Sequence, residues 1–144
     1  MTEPLVTVET LINAEPAQVW MTLTESPSPL FMGADVISDW QKGSPLHISG
    51  EFQGKEFHDH GEIRESEPAR HVAFTHFSGS QTGKGNLVDI ELQPQGVRTK
   101  LILSQTPDGG ERPDEAKVAE FRKNWEAMLG GLKKAAEEKA REEA

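Results

Sequence analysis

From Pro113 to about Arg141 the apolar residues Val118, Phe121, Trp125, Met128, Leu129, Leu132 and Ala136 recur at steps of one, three or four. At about 3.6 residues per turn they share one face roughly 100° wide, so the stretch predicts a long amphipathic helix. The other face carries Glu120, Lys123, Glu126, Lys134, Glu137 and Glu138. Pro113 stands at the expected first helical position, and Asp114 and Glu115 follow in the first turn, where carboxylates favour the helix dipole. Such a helix is stable mainly through the packing of its apolar face. A large apolar surface must therefore lie beneath Phe121 and Trp125, and the chain ahead of the helix has to supply it.

That part of the chain reads mostly as strands. Leu5 to Ile12 alternates as a first strand, and Pro16 then opens a short helix with Val19, Trp20 and Leu23 as its stripe. Ser26-Pro27-Ser28-Pro29 ends it; a second short helix is expected over Leu30–Met32 and a brief strand over Val36–Ser38. Five strands follow, at Pro45–Phe52, Lys55–Glu65, Arg70–Phe77, Gly85–Gln93 and Val97–Gln105, with turn residues between them. Alternation gives one face Phe57, Asp59, Gly61 and Ile63, then Val72, Phe74 and His76, then Val88, Ile90 and Leu92, then Val97, Thr99, Leu101 and Leu103. The reverse face carries Glu62, Arg64, Glu91, Arg98 and Lys100, so the sheet is expected to be antiparallel with one side wet. The class is α+β: a curved antiparallel sheet wrapped around the long C-terminal helix. A curved sheet and a cylinder do not mate everywhere, so a cavity is expected between them.

The 144 residues suit a single domain, 1–144, with residues 139–144 as a frayed, solvated tail. With 15 Lys and Arg against 24 Asp and Glu the formal charge is −9, which argues against nucleic acid or an anionic membrane as partner. No apolar run approaches the roughly 20 residues of a membrane helix, so no membrane insertion is expected. The first residues lack the plan of a secretion signal, which makes a cytoplasmic location the expectation. Without cysteine there is neither a disulfide framework nor a thiol nucleophile.

The order of elements resembles the helix-grip, or START-like, fold of the SRPBCC superfamily, which includes polyketide cyclases. Several segments narrow the resemblance to proteins related to the C-terminal domain of the heat-shock-chaperone ATPase activator. These are Ala14-Glu15-Pro16-Ala17-Gln18-Val19-Trp20, Phe31-Met32-Gly33 with Ser38 to Ser44, Gly61-Glu62-Ile63 with Glu67 to Val72, Gly96 to Leu103, and Asn124-Trp125 through Leu132. The family implies an apolar cavity. This chain departs from it in having no tyrosine, and in placing Glu15 where a Ser or Thr cap is usual.

Three groups of residues bear on chemistry. His58 and His60 share a strand face with Glu56 and Glu62, a spacing that can meet a metal, but the register puts them outside, and no metal site is expected. His76 points inward with Asp59 on the neighbouring strand, the candidate acid–base pair. The segment GSQTGKG, Gly79–Gly85, lacks the spacing of a phosphate loop and is expected to be a hairpin. The expected ligand-binding residues are Trp20, Trp40, Phe57, Asp59, Phe74, His76, Ile90, Leu101, Phe121, Trp125 and Leu129.

The preferred reading is a protein that holds a small apolar or amphipathic molecule between sheet and helix, with no cofactor. Two alternatives stay open: an adaptor that touches a heat-shock chaperone, as the resemblance implies, and an enzyme of the cyclase or dehydratase sort using His76 or Asp59.

Overall fold

The computed structural model describes residues 4–31, 33–52, 54–76, 86–107 and 114–142. The order is β1 (Val6–Ile12), α1 (Pro16–Thr24), β2 (Asp35–Ile37), β3 (Pro45–Phe52), β4 (Lys55–Glu67), β5 (His71–His76), β6 (Asn86–Gln95), β7 (Arg98–Pro107) and α2 (Glu115–Glu142). The seven strands form one antiparallel sheet in the order β1-β7-β6-β5-β4-β3-β2, and α2 closes over its inner face. This is the helix-grip arrangement that the sequence predicts.

The inner face follows the expected alternation. Ile63, Val72, Phe74, Val88, Ile90, Leu92, Leu101 and Leu103 are buried, and Trp125, Leu129, Leu132 and Ala136 of α2 join them in one core. Val97 departs from the pattern. Gln95 pairs with Arg98, so Gly96 and Val97 form a two-residue hairpin tip, and Val97 is 75% exposed. Gly96 takes φ 67°, a left-handed backbone that glycine adopts without cost.

The second short helix does not form. Over Leu30 and Phe31 the chain turns instead, closed by a bridge between Ser28 and Ala34 in which Ser28 N–H donates to Ala34 O at 2.8 Å. Two prolines and a glycine within seven residues (Pro27, Pro29, Gly33) favour such a turn over a helix. Met32 lies outside the described residues, as do Pro113, Phe77 and the Gly79–Gly85 segment. At the other end, the helix continues through the positions expected to fray: Lys139 pairs with Glu25, Ala140 packs against the core, and α2 runs to Glu142.

The sheet bends at β4. Ile63 pairs with Phe74 and Glu65 with Ala73, leaving Arg64 as a bulge, which adds local twist. Beyond it, a Cβ on Gly61 would stand 1.7 Å from the Thr75 carbonyl oxygen, so only glycine permits the close approach of β4 to β5 there. Glu62 N–H donates to Thr75 Oγ1 at 3.0 Å at this point.

Along edge strand β1, α2 supplies donors to the backbone. Arg122 Nη1 donates to Thr7 O at 3.1 Å and Lys133 Nζ to Leu11 O at 2.8 Å. Asn13 N–H in turn donates to Glu137 Oε2 at 2.9 Å, with Lys133 at 3.0 Å from the same oxygen. The Asn13 N–H holds the Glu137 carboxyl below its ordinary value of 4.5. A carboxyl with a depressed native pKa stabilises the fold above its unfolded value, and that contribution fades as pH falls through the native one.

Glu137→Gln should lower the melting temperature near neutral pH, with the difference from wild type shrinking on acidification below 4.5, as thermal melts across pH would register. Gly130 faces open space within α2, whereas a Cβ on Gly131 would lie 3.0 Å from Pro29 O. Gly130→Ala should therefore raise unfolding stability by about 1 kcal/mol, and Gly131→Ala should gain less or lose, in parallel urea titrations.

Candidate functional site

Between the sheet and the first half of α2 lies a pocket of about 580 Å³, within the range of small-molecule sites. It occupies the end of the sheet where β6 begins and β7 ends. Its apolar wall comes from Phe31 and Ala34 of the Ser28–Ala34 turn, Ile48 of β3, Phe57 of β4 and Val88 of β6, with Phe121, Trp125 and Met128 of α2 opposite. Its polar wall is Glu51, Asp59, His76, Asn86, Gln105 and Asn124. Gly50, paired with Phe57, also lines it; a Cβ there would stand 3.1 Å from the Phe57 ring and from Ala34.

The pocket exists because the inner face changes character along the strands. Two residues deeper, Ile90 faces Leu103 and Leu92 faces Leu101, and these side chains fill the space under the helix. Toward the open end the partners are Val88 with Gln105, then Asn86 with Pro107. The smaller Val88 and the polar Gln105 and Asn86 there leave room that α2 does not fill.

Two hydrogen bonds shape this end. The Trp125 indole Nε1–H donates to Gln105 Oε1 at 2.6 Å, a buried contact that pins α2 to β7. Trp125 is 8% and Gln105 5% exposed. The second bond joins His76 Nε2 to Asp59 Oδ2 at 2.9 Å, with side chains 24% and 17% exposed. The described β4–β5 ladder ends at Ile63 opposite Phe74, so this side-chain pair holds the two strands together past the Gly61 bend. With Asp59 ionised, Nε2 carries the proton and Nδ1 of a neutral ring is left as an acceptor. An imidazole oriented by a carboxylate is the geometry of a general base.

Of the residues expected from sequence, the pocket brings together Phe57, Asp59, His76, Phe121 and Trp125. Phe74, Ile90, Leu101 and Leu129 are fully packed in the core behind it. Phe74 meets Phe31 edge to face at 6.3 Å, so it backs the wall without lining it. Trp20 packs against the core from α1, and Trp40 lies at the far end of β4, where its carbonyl accepts from Ser66 Oγ at 2.6 Å. Both sit away from the pocket because helix and sheet entry turn them toward other parts of the core. Among the lining residues that sequence reasoning missed are Phe31, Ala34, Gln105, Asn124 and Met128. Of these, Gln105 continues the Leu101 and Leu103 alternation and Met128 falls on the helix stripe, so both carry a signal; Phe31 lies in the segment expected as helix, and Ala34 is placed by the bridge to Ser28 that forms there instead.

Outside the pocket, His58 is exposed and His60 half-buried. Among the described residues no group of three or more His, Asp or Glu side chains is placed to hold a metal ion. A second pair, His71 Nε2 with Asp89 Oδ2 at 2.8 Å, joins β5 to β6 on the reverse side of the sheet, in a separate polar recess. No described helix is long and apolar enough to cross a membrane.

The sequence profile of the family described as Activator of Hsp90 ATPase homolog 1-like protein matches residues 13–137. No curated protein matches the chain. Among solved structures, ChR145 from Cytophaga hutchinsonii is 28% identical, with a TM-score of 0.76 over 96% of this chain and 97% of that one. CalU16 from Micromonospora echinospora is 20% identical, with a TM-score of 0.65 over 88% of this chain and 70% of that one. DynU16, of the dynemicin biosynthetic locus, is 19% identical with a TM-score of 0.74; the match covers 90% of this chain and 45% of DynU16. The last two likenesses are of fold alone.

The Trp125–Gln105 bond carries its own test. Trp125→Phe leaves the Gln105 oxygen without its donor and should cost about 1–3 kcal/mol in urea unfolding, part of it lost packing. Adding Gln105→Leu should recover a measurable part of that loss, because replacing both polar partners by apolar groups removes the orphan.

Proposed function

The chain belongs to the family of Activator of Hsp90 ATPase homolog 1-like proteins, with the START-like fold, and we propose that it binds a small apolar or amphipathic molecule between sheet and α2. The observation that carries this reading is the pocket of about 580 Å³, faced by Phe31, Phe57, Phe121, Trp125 and Met128 on its apolar side. Aromatic and thioether side chains contribute contact area to a ligand of varied shape. The polar residues at one end suit a molecule with a polar group at one of its own ends.

The adaptor reading draws on the family's description. The exposed large apolar side chains among the described residues, Leu11, Met21, Ile37 and Val97, come from four different segments, and this favours the small molecule over a protein partner. A catalytic reading has a specific observation behind it, the Asp59–His76 pair at 2.9 Å in the pocket wall. In that version, binding is followed by proton transfer through the imidazole, as in cyclases and dehydratases. Asp59→Asn and His76→Gln would then leave ligand affinity near wild type and reduce turnover by about 100-fold or more.

The neutral fluorophore N-phenyl-1-naphthylamine tests the binding reading directly. Its emission should rise and saturate at one molecule per chain, with quenching of Trp125. Met128→Trp, which places an indole in the pocket, should weaken binding about tenfold without a drop in melting temperature. A titration without saturation would rule out the pocket as a binding site.

A further inference from the structure

We propose that the amide nitrogen of Gln105 is the pocket's anchoring donor, and that it selects a ligand carrying a neutral carbonyl oxygen (a ketone, ester or amide) on an otherwise apolar body. This rests on the ligand-binding reading and narrows it to a chemical class. An indole nitrogen can only donate, so the Gln105 atom 2.6 Å from Trp125 Nε1 is the amide oxygen. The orientation of the amide is thereby fixed, with its NH2 turned away from the indole.

Among the described residues no acceptor meets that nitrogen, although Gln105 is 5% exposed. Among the described residues no fully buried side-chain nitrogen or oxygen lacks a partner, so the NH2 must reach open space, and the space that Gln105 borders is the pocket. Two N–H donors on a side chain locked by its own oxygen are thus presented to whatever enters. A ligand oxygen meets them without further ordering of the side chain. An apolar group placed there would strip their water and give nothing back.

Charge decides which oxygen. The described wall holds Glu51 and Asp59 and no lysine or arginine. A carboxylate or phosphate would lie near like charges with no fixed cation to offset them, whereas a neutral carbonyl accepts from Gln105 at no such cost. Phe57, Phe121 and Trp125 then face the hydrocarbon part of the ligand.

Three naphthalenes of similar size separate the possibilities: 2-acetylnaphthalene, its hydrocarbon counterpart 2-isopropylnaphthalene, and 2-naphthoate. Calorimetry or Trp125 quenching should show the ketone binding about tenfold tighter than either of the others, the worth of one net hydrogen bond. Gln105→Glu keeps an oxygen for Trp125 and replaces the amide nitrogen by oxygen. It should erase the ketone's advantage and leave the hydrocarbon's affinity within about twofold. Equal binding of ketone and hydrocarbon by the wild type overturns the donor assignment, as does an unchanged preference in Gln105→Glu. Tighter binding of naphthoate overturns the choice of a neutral ligand. Binding of none of the three overturns the pocket reading itself, and this inference with it. Should Gln105→Glu fail to fold, the unaltered protein still decides. The side-chain amide resonances of Gln105 in proton–nitrogen spectra should shift with the ketone and stay in place with the hydrocarbon; no shift with the ketone overturns the proposal.

Discussion

A single indole N–H sets the depth at which the long helix rests on the sheet. Trp125 is the bulkiest side chain on the buried stripe of α2, and its nitrogen has to find an acceptor once it leaves water. Gln105 supplies one from β7. Toward the C-terminal side of this contact, Leu129, Leu132 and Ala136 sink fully into the core. Toward the N-terminal side, the helix stands off, with Phe121 and Asn124 over open space. One polar contact thus divides a packed region from a pocket, and the same glutamine belongs to both.

Much of this was readable in advance because it rests on local periodicity. The helix stripe needs only the 3.6-residue repeat, and the inward aim of Asp59 and His76 needs only alternation. Their meeting on neighbouring strands was expected, and they bond at 2.9 Å. What escaped depends on contacts far apart in sequence or on turn chemistry. Leu30 and Phe31 carry apolar side chains that suit a helix, yet the flanking prolines and Gly33 turn the chain and bring Phe31 to the pocket. Glu137 looks like one more solvated carboxylate, but its oxygen accepts from Asn13, 124 residues away. Trp20, Trp40 and Phe74 are aromatic and inward in the sense that sequence can judge. Whether an inward aromatic borders space or fills it depends on the helix above it.

Family membership and the bend in β4 bear on each other. A START-like sheet has to curve to enclose a helix, and here the curve is made by a bulge at Arg64 and by the close approach of Gly61 to Thr75. The bend carries the N-terminal half of β4 across to β3, so that Ile48 and Phe57 face α2 from the far side of the pocket. His76 and Asp59 bridge the strands where the ladder ends. Their bond is therefore part of the architecture of the pocket whether or not it also moves a proton.

The contacts of Arg122 and Lys133 with Thr7 and Leu11 reach beyond helix docking. A bare outer strand is a template on which a second chain can align its backbone. Here two cations already occupy carbonyls that an incoming strand would need, and the sheet's opposite border, β2, is only three residues long. Both borders thus offer few free groups for strand pairing while the helix is docked, and lifting it away would bare the Thr7 and Leu11 carbonyls. The rod that roofs the pocket thus also guards the sheet's long outer border.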